Sequence, residues 1–311
     1  MNDNFLIITP KYGLCNQLLS ISKGIILGII TKRNIIFKSF QLDFREINNT
    51  CDFHDIIDID YLNKTINQLN INLIIYSSKI NCKKVITNTD CDISTIKEFI
   101  PILMYDCNIN EKYLDIENPI SYNIPHDYIN IYNYININLK FHDKYINIAN
   151  NIKNNLNLID YSVIHLRLDD DSINFLKKDN YSFNEINEIY IQKYIYEIET
   201  IKNKNSENPI YICTSLNIDN NINNELYKKL KLKYNLIDKN DFIDKNDFIE
   251  KINYEDKYRE IYAIIDFIIA KDGIYFIGSD WSSFSIYLFN YYKNTNKACL
   301  LIDIWKTINS L

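Results

Sequence analysis

Several residue types are scarce in this chain, and each shortage narrows what the protein can be. The 311 residues include five glycines, five prolines and four arginines, a bias that strongly AT-rich codons produce. The few glycines and arginines that remain are therefore the first residues to examine for a physical role. The seven cysteines form no CxxC pair, so a zinc site or an ordered disulfide framework is not expected. Reduced thiols in a cytosolic compartment fit this odd number better.

Basic residues are also in deficit. Lysine and arginine total 34 against 40 acidic residues, a formal net charge of −6. Attraction to phosphate backbones or anionic lipid needs a concentrated basic surplus, so general binding to nucleic acid or to a membrane surface is not expected. With 24% charged and 14% aromatic residues the chain is globular, and its length allows one large domain or two of ordinary size.

The sequence also shows no apolar run long enough to span a membrane and no recognisable targeting signal. Residues 1–4 lack a basic start and lead directly into a strand-like run at residues 5–8. The longest apolar stretches, residues 18–30 and 261–270, are interrupted by Lys23 and Asp266 and are too short to span a bilayer. We therefore expect a cytoplasmic protein without a membrane span.

Alternating strand-like and helix-like segments predict an α/β protein in two halves. Residues 5–8 and 34–37 read as strands on either side of an apolar helix, in which Ser22 and Gly28 allow close packing. The pattern restarts with a strand over 162–168, and further strands over 209–213 and 273–278 alternate with helices over 187–201, 224–233, 261–270 and 284–292. We place the domain boundary after residue 155.

Two stretches carry no functional prediction. Residues 41–153 are hard to assign, because segments such as 128–139 fit either a strand or a helix. The hexapeptide DKNDFI occurs twice in tandem, at 238–243 and 244–249. A repeat this short cannot build a solenoid, and we interpret it as a duplication in an exposed loop.

The first candidate site is the loop between the first strand and its helix, residues 13–17 (GLCNQ). Gly13 allows a positive φ and close backbone approach, and the helix that follows presents free N–H groups to an anion. Asn16 is placed to donate to a sugar or phosphate oxygen. The alternative is a tight turn in which Asn16 is only the N-cap of the helix.

The second candidate is HLRLDDD at residues 165–171. Strand alternation puts His165 and Arg167 on one face. A buried guanidinium requires a partner, and arginine binds phosphate in bidentate fashion. Two alternatives stay open: a structural ion pair of Arg167 with a carboxylate, or a DxD metal site at Asp169–Asp171 as in metal-dependent sugar transferases.

The third candidate is the strand-to-helix loop GSDWSSFS at residues 278–285. Its four hydroxyl groups make a neutral cradle for phosphate oxygens at the start of a helix. The alternative is an N-cap serine with solvent-facing neighbours. Asp266, inside an apolar helix, is a lesser candidate that also fits an N-cap or a buried hydrogen-bond acceptor.

Together the three loops resemble the fucosyltransferase superfamily, and most of all the GDP-fucose protein O-fucosyltransferases. Residues 13–17 are similar to the G-G-L-x-N-Q start, residues 165–171 to the H-x-R motif with downstream acids, and residues 278–285 to the S-[ST]-F-S loop. The motifs agree in order and approximate spacing. The resemblance implies a GT-B fold, with two Rossmann-like domains facing a central cleft: an acceptor-side domain over 1–155 and a nucleotide-sugar domain over 156–311.

The same resemblance implies an inverting, metal-independent transfer of fucose from GDP-fucose to a hydroxyl of a protein or glycan acceptor, without a cofactor. Arg167 and Asn16 are then the catalytic residues. The expected substrate-binding residues are Gly13, His165, Asp170, Ser282, Ser283 and Phe284, and no metal ligand is expected.

Three departures from the family pattern leave other functions open. Tyr12 replaces the first glycine of the opening motif, Cys15 stands where many members have glycine or asparagine, and Thr214 follows a strand where related sequences often have an acid. The alternatives are a metal-dependent nucleotide-sugar transferase using Asp169–Asp171 and a catalytically silent nucleotide- or sugar-binding protein of the same fold.

Overall fold

The chain folds into two compact units, Met1–Lys144 and Tyr145–Leu311, in the computed structural model. The structure describes residues 4–43, 46, 48–77, 113–121, 123–167, 183–204, 208–214, 224–243 and 259–303. The boundary predicted from the sequence, after residue 155, lies beyond this division, at the end of a helix that spans Asp143–Asn155.

Unit 1 is built on a parallel four-stranded sheet. Its strands are β1 (Phe5–Thr9), β2 (Asn34–Phe37), β5 (Ile75–Ser77) and β6 (Tyr113–Glu117), in the order β5-β2-β1-β6. A separate antiparallel pair is formed by β3 (Ser39–Gln41) and β4 (Thr50–Asp52). Relabelled by their order within the sheet, the parallel strands run 3-2-1-4, which is the beginning of the doubly wound arrangement.

Within its described residues, unit 1 contains the α-helices α1 (Leu14–Thr31), α2 (Ile59–Gln68) and α3 (Ile129–Asn138). Helix α4 (Asp143–Asn155) begins at the end of unit 1 and lies mostly in unit 2. α1 lies close against the sheet, because a Cβ added at Gly28 would lie 2.7 Å from Cδ1 of Ile35. α1 extends beyond the apolar stretch at residues 18–30, and by length and composition it could cross a membrane. However, 72% of it is buried inside the protein, as in the core helix of an α/β domain.

Unit 2 contains a parallel five-stranded sheet. Its strands are β7 (Ser162–His165), β8 (Ile210–Cys213), β9 (Leu236–Ile237), β10 (Tyr275–Ser279) and β11 (Ala298–Ile302), in the order β11-β10-β7-β8-β9. Relabelled within the sheet, this order is 5-4-1-2-3. It is the doubly wound order, and the strand order reverses between β7 and β10.

The other α-helices in the described residues of unit 2 are α5 (Phe183–Lys204), α6 (Asn224–Tyr234), α7 (Asn240–Ile243), α8 (Arg259–Asp272) and α9 (Ser283–Asn294). One apolar cluster joins a face of the sheet to α5 and α6, and its members include Ile164, Leu166, Tyr194, Ile212, Tyr227 and Ile277. Ile164 and Leu166 belong to this cluster, so His165 and Arg167 face the other side of the sheet, as the alternation predicted.

The predicted α/β class with two Rossmann-like halves is confirmed. Strands predicted over 5–8, 34–37, 209–213 and 273–278 correspond to β1, β2, β8 and β10. The ambiguous segment 128–139 is largely helical, as α3. The four cysteines within the described residues, Cys15, Cys51, Cys213 and Cys299, are free thiols.

A buried ionic network stabilises the carboxyl ends of β8 and β9. Lys239, 1% exposed, donates to Asp266 of α8 at 2.7 Å and to the backbone oxygen of Thr214 at 3.0 Å. Tyr211 donates to the same carboxylate at 2.6 Å. Burial alone would lower the pKa of Lys239, but the adjacent Asp266 carboxylate raises it above its ordinary value. The ammonium therefore stays charged inside the protein.

The same network corrects the interpretation of the DKNDFI repeat. The first copy is buried rather than exposed: Asp238 is 0% exposed and accepts from Lys231 at 2.8 Å, and Phe242 is 6% exposed. Tertiary partners on α6 and α8 make these polar residues part of the interior, which a local reading of the sequence could not detect. The second copy, residues 244–249, lies outside the described residues.

Removing one charge of the buried pair should destabilise the protein more than removing both charges together. Lys239→Met leaves Asp266 buried without its cation and is expected to lower the free energy of unfolding by about 3 kcal/mol. Adding Asp266→Asn should recover part of that loss, because the neutral amide still accepts from Tyr211. Urea unfolding of the single and double variants measures both. A double variant less stable than Lys239→Met would contradict this account.

Candidate functional site

The candidate site of unit 2 lies at the carboxyl ends of β7 and β10, where the strand order of the sheet reverses. Open α/β sheets bind ligands in the crevice beyond these strand ends. His165 is the last residue of β7 and Arg167 follows two residues later. Ser279 ends β10, and the loop after it leads into α9. The fold therefore brings two of the three sequence motifs to one point of the sheet.

Arg167 bridges the two strand ends. Its Nη1 donates to Oγ of Ser282 at 3.4 Å, and its guanidinium carbon lies 5.5 Å from the ring centroid of Trp281. This separation is within the range of a cation–π contact. The side chain is partly buried, so it is held beside the β10–α9 loop while part of its surface stays open to solvent.

Ser282 is the N-cap residue of α9 but does not cap it with its side chain. Its hydroxyl instead accepts from Arg167, while its carbonyl accepts the first helical bond from Ile286 at 2.8 Å. The first N–H groups of a helix have no intrahelical acceptor, and the helix dipole favours an anion there. The loop thus combines a guanidinium with a helix N-terminus that its own N-cap side chain does not cap, an arrangement suited to a phosphate group.

Ser283 and Phe284 lie in the first turn of α9, which begins one residue before the helix start predicted at residue 284. Both are partly exposed. The ring of Phe284 lies 4.5 Å from the His165 ring, centroid to centroid, and also meets Phe267 edge-on. His165 is therefore packed against α9, and its backbone oxygen accepts from Tyr194 at 2.9 Å.

The candidate loop of unit 1 differs from the sequence-based expectation at Gly13. Gly13 is the N-cap residue of α1, with φ −63° and ψ 160°, so it uses no glycine-specific conformation. The left-handed residue is its neighbour Tyr12, with φ 73°. The glycine that the fucosyltransferase motif has at this position would adopt that φ freely, and here a tyrosine adopts it instead.

A glutamine pair holds this loop in place. Gln17, fully buried, donates through Nε2 to the backbone oxygens of Tyr12 at 2.8 Å and Gln41 at 2.9 Å. Gln41 returns a backbone bond to Oε1 of Gln17 at 2.8 Å, and its own Oε1 accepts from the N–H of Tyr12 at 2.8 Å. Gln17 stood in the predicted motif without a role, and only the contact with β3 shows that it supports the loop.

Asn16 lies in the first turn of α1 and is partly exposed, so it is not the N-cap that the alternative interpretation required. Cys15 is 2% exposed and belongs to the core. Neither the substitution at Tyr12 nor the one at Cys15 disrupts the start of the helix.

The other candidate residues lie either in the interior of unit 2 or outside the described residues. Asp266 is in the middle of α8, where it accepts from Lys239 and Tyr211 within the ionic network. Thr214 gives its backbone oxygen to the same network. Asp169–Asp171, including the predicted ligand contact Asp170, lie outside the described residues.

One group of metal-ligating side chains occurs within the described part of the chain. Ligand atoms of Asp52, His54 and Asp55 lie within 4.8 Å of one another at the end of β4. Asp55 and His54 are exposed, and exposed acidic groups of this kind are common without an ion. The group contains none of the residues that the motifs singled out.

Comparison with solved structures identifies the architecture. An apo crystal form of POFUT1 matches with a TM-score of 0.62 at 10% identity, over 97% of this chain and 98% of the other. The fucosyltransferase NodZ from Bradyrhizobium matches with a TM-score of 0.58 at 11% identity, over 93% and 92%. The chain has the GT-B fold of these fucosyltransferases.

The predicted relationship to fucosyltransferases is thus confirmed at the level of the fold. POFUT1 in complex with GDP-fucose matches with a TM-score of 0.59 at 10% identity, over 94% of this chain and 95% of that one. No protein-family model matches the sequence, and no curated protein does. Identities near one residue in ten leave the activity to be argued from the site itself.

The left-handed conformation of Tyr12 predicts that glycine is more stable than valine at this position. Tyr12→Gly should be at least as stable as the wild type, whereas Tyr12→Val should lose about 1–2 kcal/mol, because a β-branched residue is strained at this φ. Tyr76 is the matched control: it is 40% exposed but lies in strand β5, so valine should be favoured over glycine there. Thermal unfolding of the four variants measures whether glycine or valine is the more stable residue at each position. If the same residue were the more stable one at both positions, the left-handed conformation assigned to Tyr12 would be contradicted.

Proposed function

We propose that this protein is an inverting glycosyltransferase that transfers fucose from GDP-fucose to a hydroxyl group of a protein or glycan acceptor. The donor is a substrate, and the proposal includes no cofactor and no required metal ion. The single observation that carries it is the contact of Arg167 with Ser282 at the start of α9, where the strand order of unit 2 reverses.

The chemistry of the transfer requires a cation at that point. As the bond from the sugar to the β-phosphate breaks, negative charge builds on the phosphate oxygens and positive charge on the sugar ring. Arg167 stabilises the leaving diphosphate in the place where other transferases use a divalent ion. The hydroxyls of Ser282 and Ser283 and the N–H of Phe284 bind the remaining oxygens at the helix N-terminus.

Preorganisation supports this role for Arg167. Its guanidinium is held by contacts with Ser282 and Trp281 of the protein itself, so little side-chain freedom is lost when the phosphate binds. A preorganised donor of this kind acts on the charge that develops in the transition state, at a site partly shielded from water.

The remaining proposed roles follow the family pattern. Unit 1 is the acceptor-side domain and unit 2 the nucleotide-sugar domain. Asn16, beside Gly13 in the first turn of α1, contacts the transferred sugar or the acceptor. His165 orients the nucleotide by holding α9, and Asp170 contacts it. Asp169–Asp171 are the candidates for a general base toward the acceptor hydroxyl, and none of the three is assigned that role.

A panel of GDP, UDP and their sugars in a thermal-shift assay tests the donor. GDP and GDP-fucose should raise the melting temperature of the wild type by mass action, and UDP should not.

Arg167→Ala should remain folded, lose this shift, and lose transfer by a factor of about 10²–10³ or more, because it removes the main donor to the leaving group. Arg167→Lys should recover little, since it keeps the charge without the bidentate geometry.

Lys297→Met is the matched control. Lys297 is a basic residue of the same unit, but its ammonium donates to the backbone oxygens of Lys271 and Gly273 at the end of α8. Its loss should leave the response to GDP unchanged.

Unchanged turnover in Arg167→Ala would eliminate the phosphate role, and loss of wild-type activity in chelator would favour the metal-dependent alternative. GDP binding without hydrolysis or transfer would identify a silent binding protein.

A further inference from the structure

Ser285 connects all three elements that meet at the candidate phosphate site. It lies in the first turn of α9 and is 0% exposed. Its Oγ is 2.7 Å from Nδ1 of His165, at the end of β7, and accepts from the backbone N–H of Ser279, at the end of β10, at 3.1 Å. One hydroxyl therefore joins β7, β10 and the helix N-terminus.

Gly278 makes this arrangement possible. A Cβ added at Gly278 would lie 2.6 Å from Cβ of Ser285 and would also collide with its Oγ. The φ of Gly278 is not positive, so its absent side chain, rather than backbone freedom, is what the structure uses. α9 begins as close to β10 as it does because residue 278 has no side chain.

The position of this turn determines where its N–H groups point. A helix N-terminus binds an anion through N–H groups of its first turn, and those groups move with the helix backbone. The N-cap residue Ser282 contacts Arg167 with its hydroxyl, while Ser285 in the first turn faces inward to His165 and Ser279. The Ser285 hydroxyl is already engaged by His165 and by the N–H of Ser279, so its role is to hold the turn rather than to contact the ligand.

We infer that Ser285 is a positioning residue for a diphosphate ligand: it fixes the first turn of α9 against His165 and Ser279 so that the turn's N–H groups and Arg167 converge on one anion. This inference rests on the proposed function, since it assumes that the anion is the diphosphate of a nucleotide donor. It also gives His165 a role in which one ring nitrogen serves the helix rather than the ligand.

The test is isothermal titration of the full chain with GDP, with guanosine and with inorganic pyrophosphate. Ser285→Ala should weaken GDP and pyrophosphate binding by about tenfold, the effect of one buried hydrogen-bonding group. Guanosine affinity should be unchanged, because guanosine has no phosphate. A merely structural role would lower the melting temperature without changing the ratio of the GDP and guanosine dissociation constants.

Tyr292→Phe provides the matched control on the same helix. The Tyr292 hydroxyl donates to the backbone oxygen of Ala270 at 2.5 Å, at the far end of α9. Its loss also removes a buried hydrogen bond, but it should leave the ratio of dissociation constants unchanged. If Ser285→Ala does not fold, His165→Phe replaces it, since this change keeps a ring against Phe284 and removes the nitrogen bonded to Ser285.

The possible outcomes separate this inference from the proposed function. If the wild type binds neither GDP nor pyrophosphate, both are wrong. If the wild type binds GDP and Arg167→Ala does not, but Ser285→Ala binds it as tightly as the wild type, only the positioning role is wrong. A selective loss of phosphate-bearing ligands in Ser285→Ala, absent from Tyr292→Phe, supports it.

Discussion

The contact between Arg167 and Ser282 is the interaction on which the account of this protein depends. It joins the end of β7 to the loop after β10, the two strands between which the order of the sheet reverses. A guanidinium there faces a helix N-terminus, and both attract negative charge. An anion is the ligand that satisfies this combination, and under the proposed function that anion is the diphosphate leaving group.

Buried hydrogen bonds inside unit 2 tie the carboxyl ends of these strands to the neighbouring helices. Ser285 fixes α9 on one side of β7, and on the other side Lys239 and Asp266 link the ends of β8 and β9 to α8. Buried polar groups of this kind are costly unless they are satisfied, so they restrict the strand ends to one arrangement. The partly exposed Arg167 thus lies beside strand ends that are tied to α8 and α9 by buried hydrogen bonds.

The sequence predicted the parts of this structure that depend on local patterns. Strands β1, β2, β8 and β10 followed from short apolar runs, and the grouping of His165 and Arg167 followed from strand alternation. The two-residue strand β9 was too short for such a pattern. The left-handed φ of Tyr12 and the burial of Asp238 depend on contacts made across the fold, with Gln41 and with Lys231. Residue types alone do not show such contacts.

The most direct test of the central claim is a crystal structure of the protein with GDP bound. The account predicts that the β-phosphate lies within hydrogen-bonding distance of the Arg167 guanidinium and of the N–H groups at the start of Ser283–Asn294. A β-phosphate bound away from that helix N-terminus, with Arg167 still on Ser282 and Trp281, would contradict it.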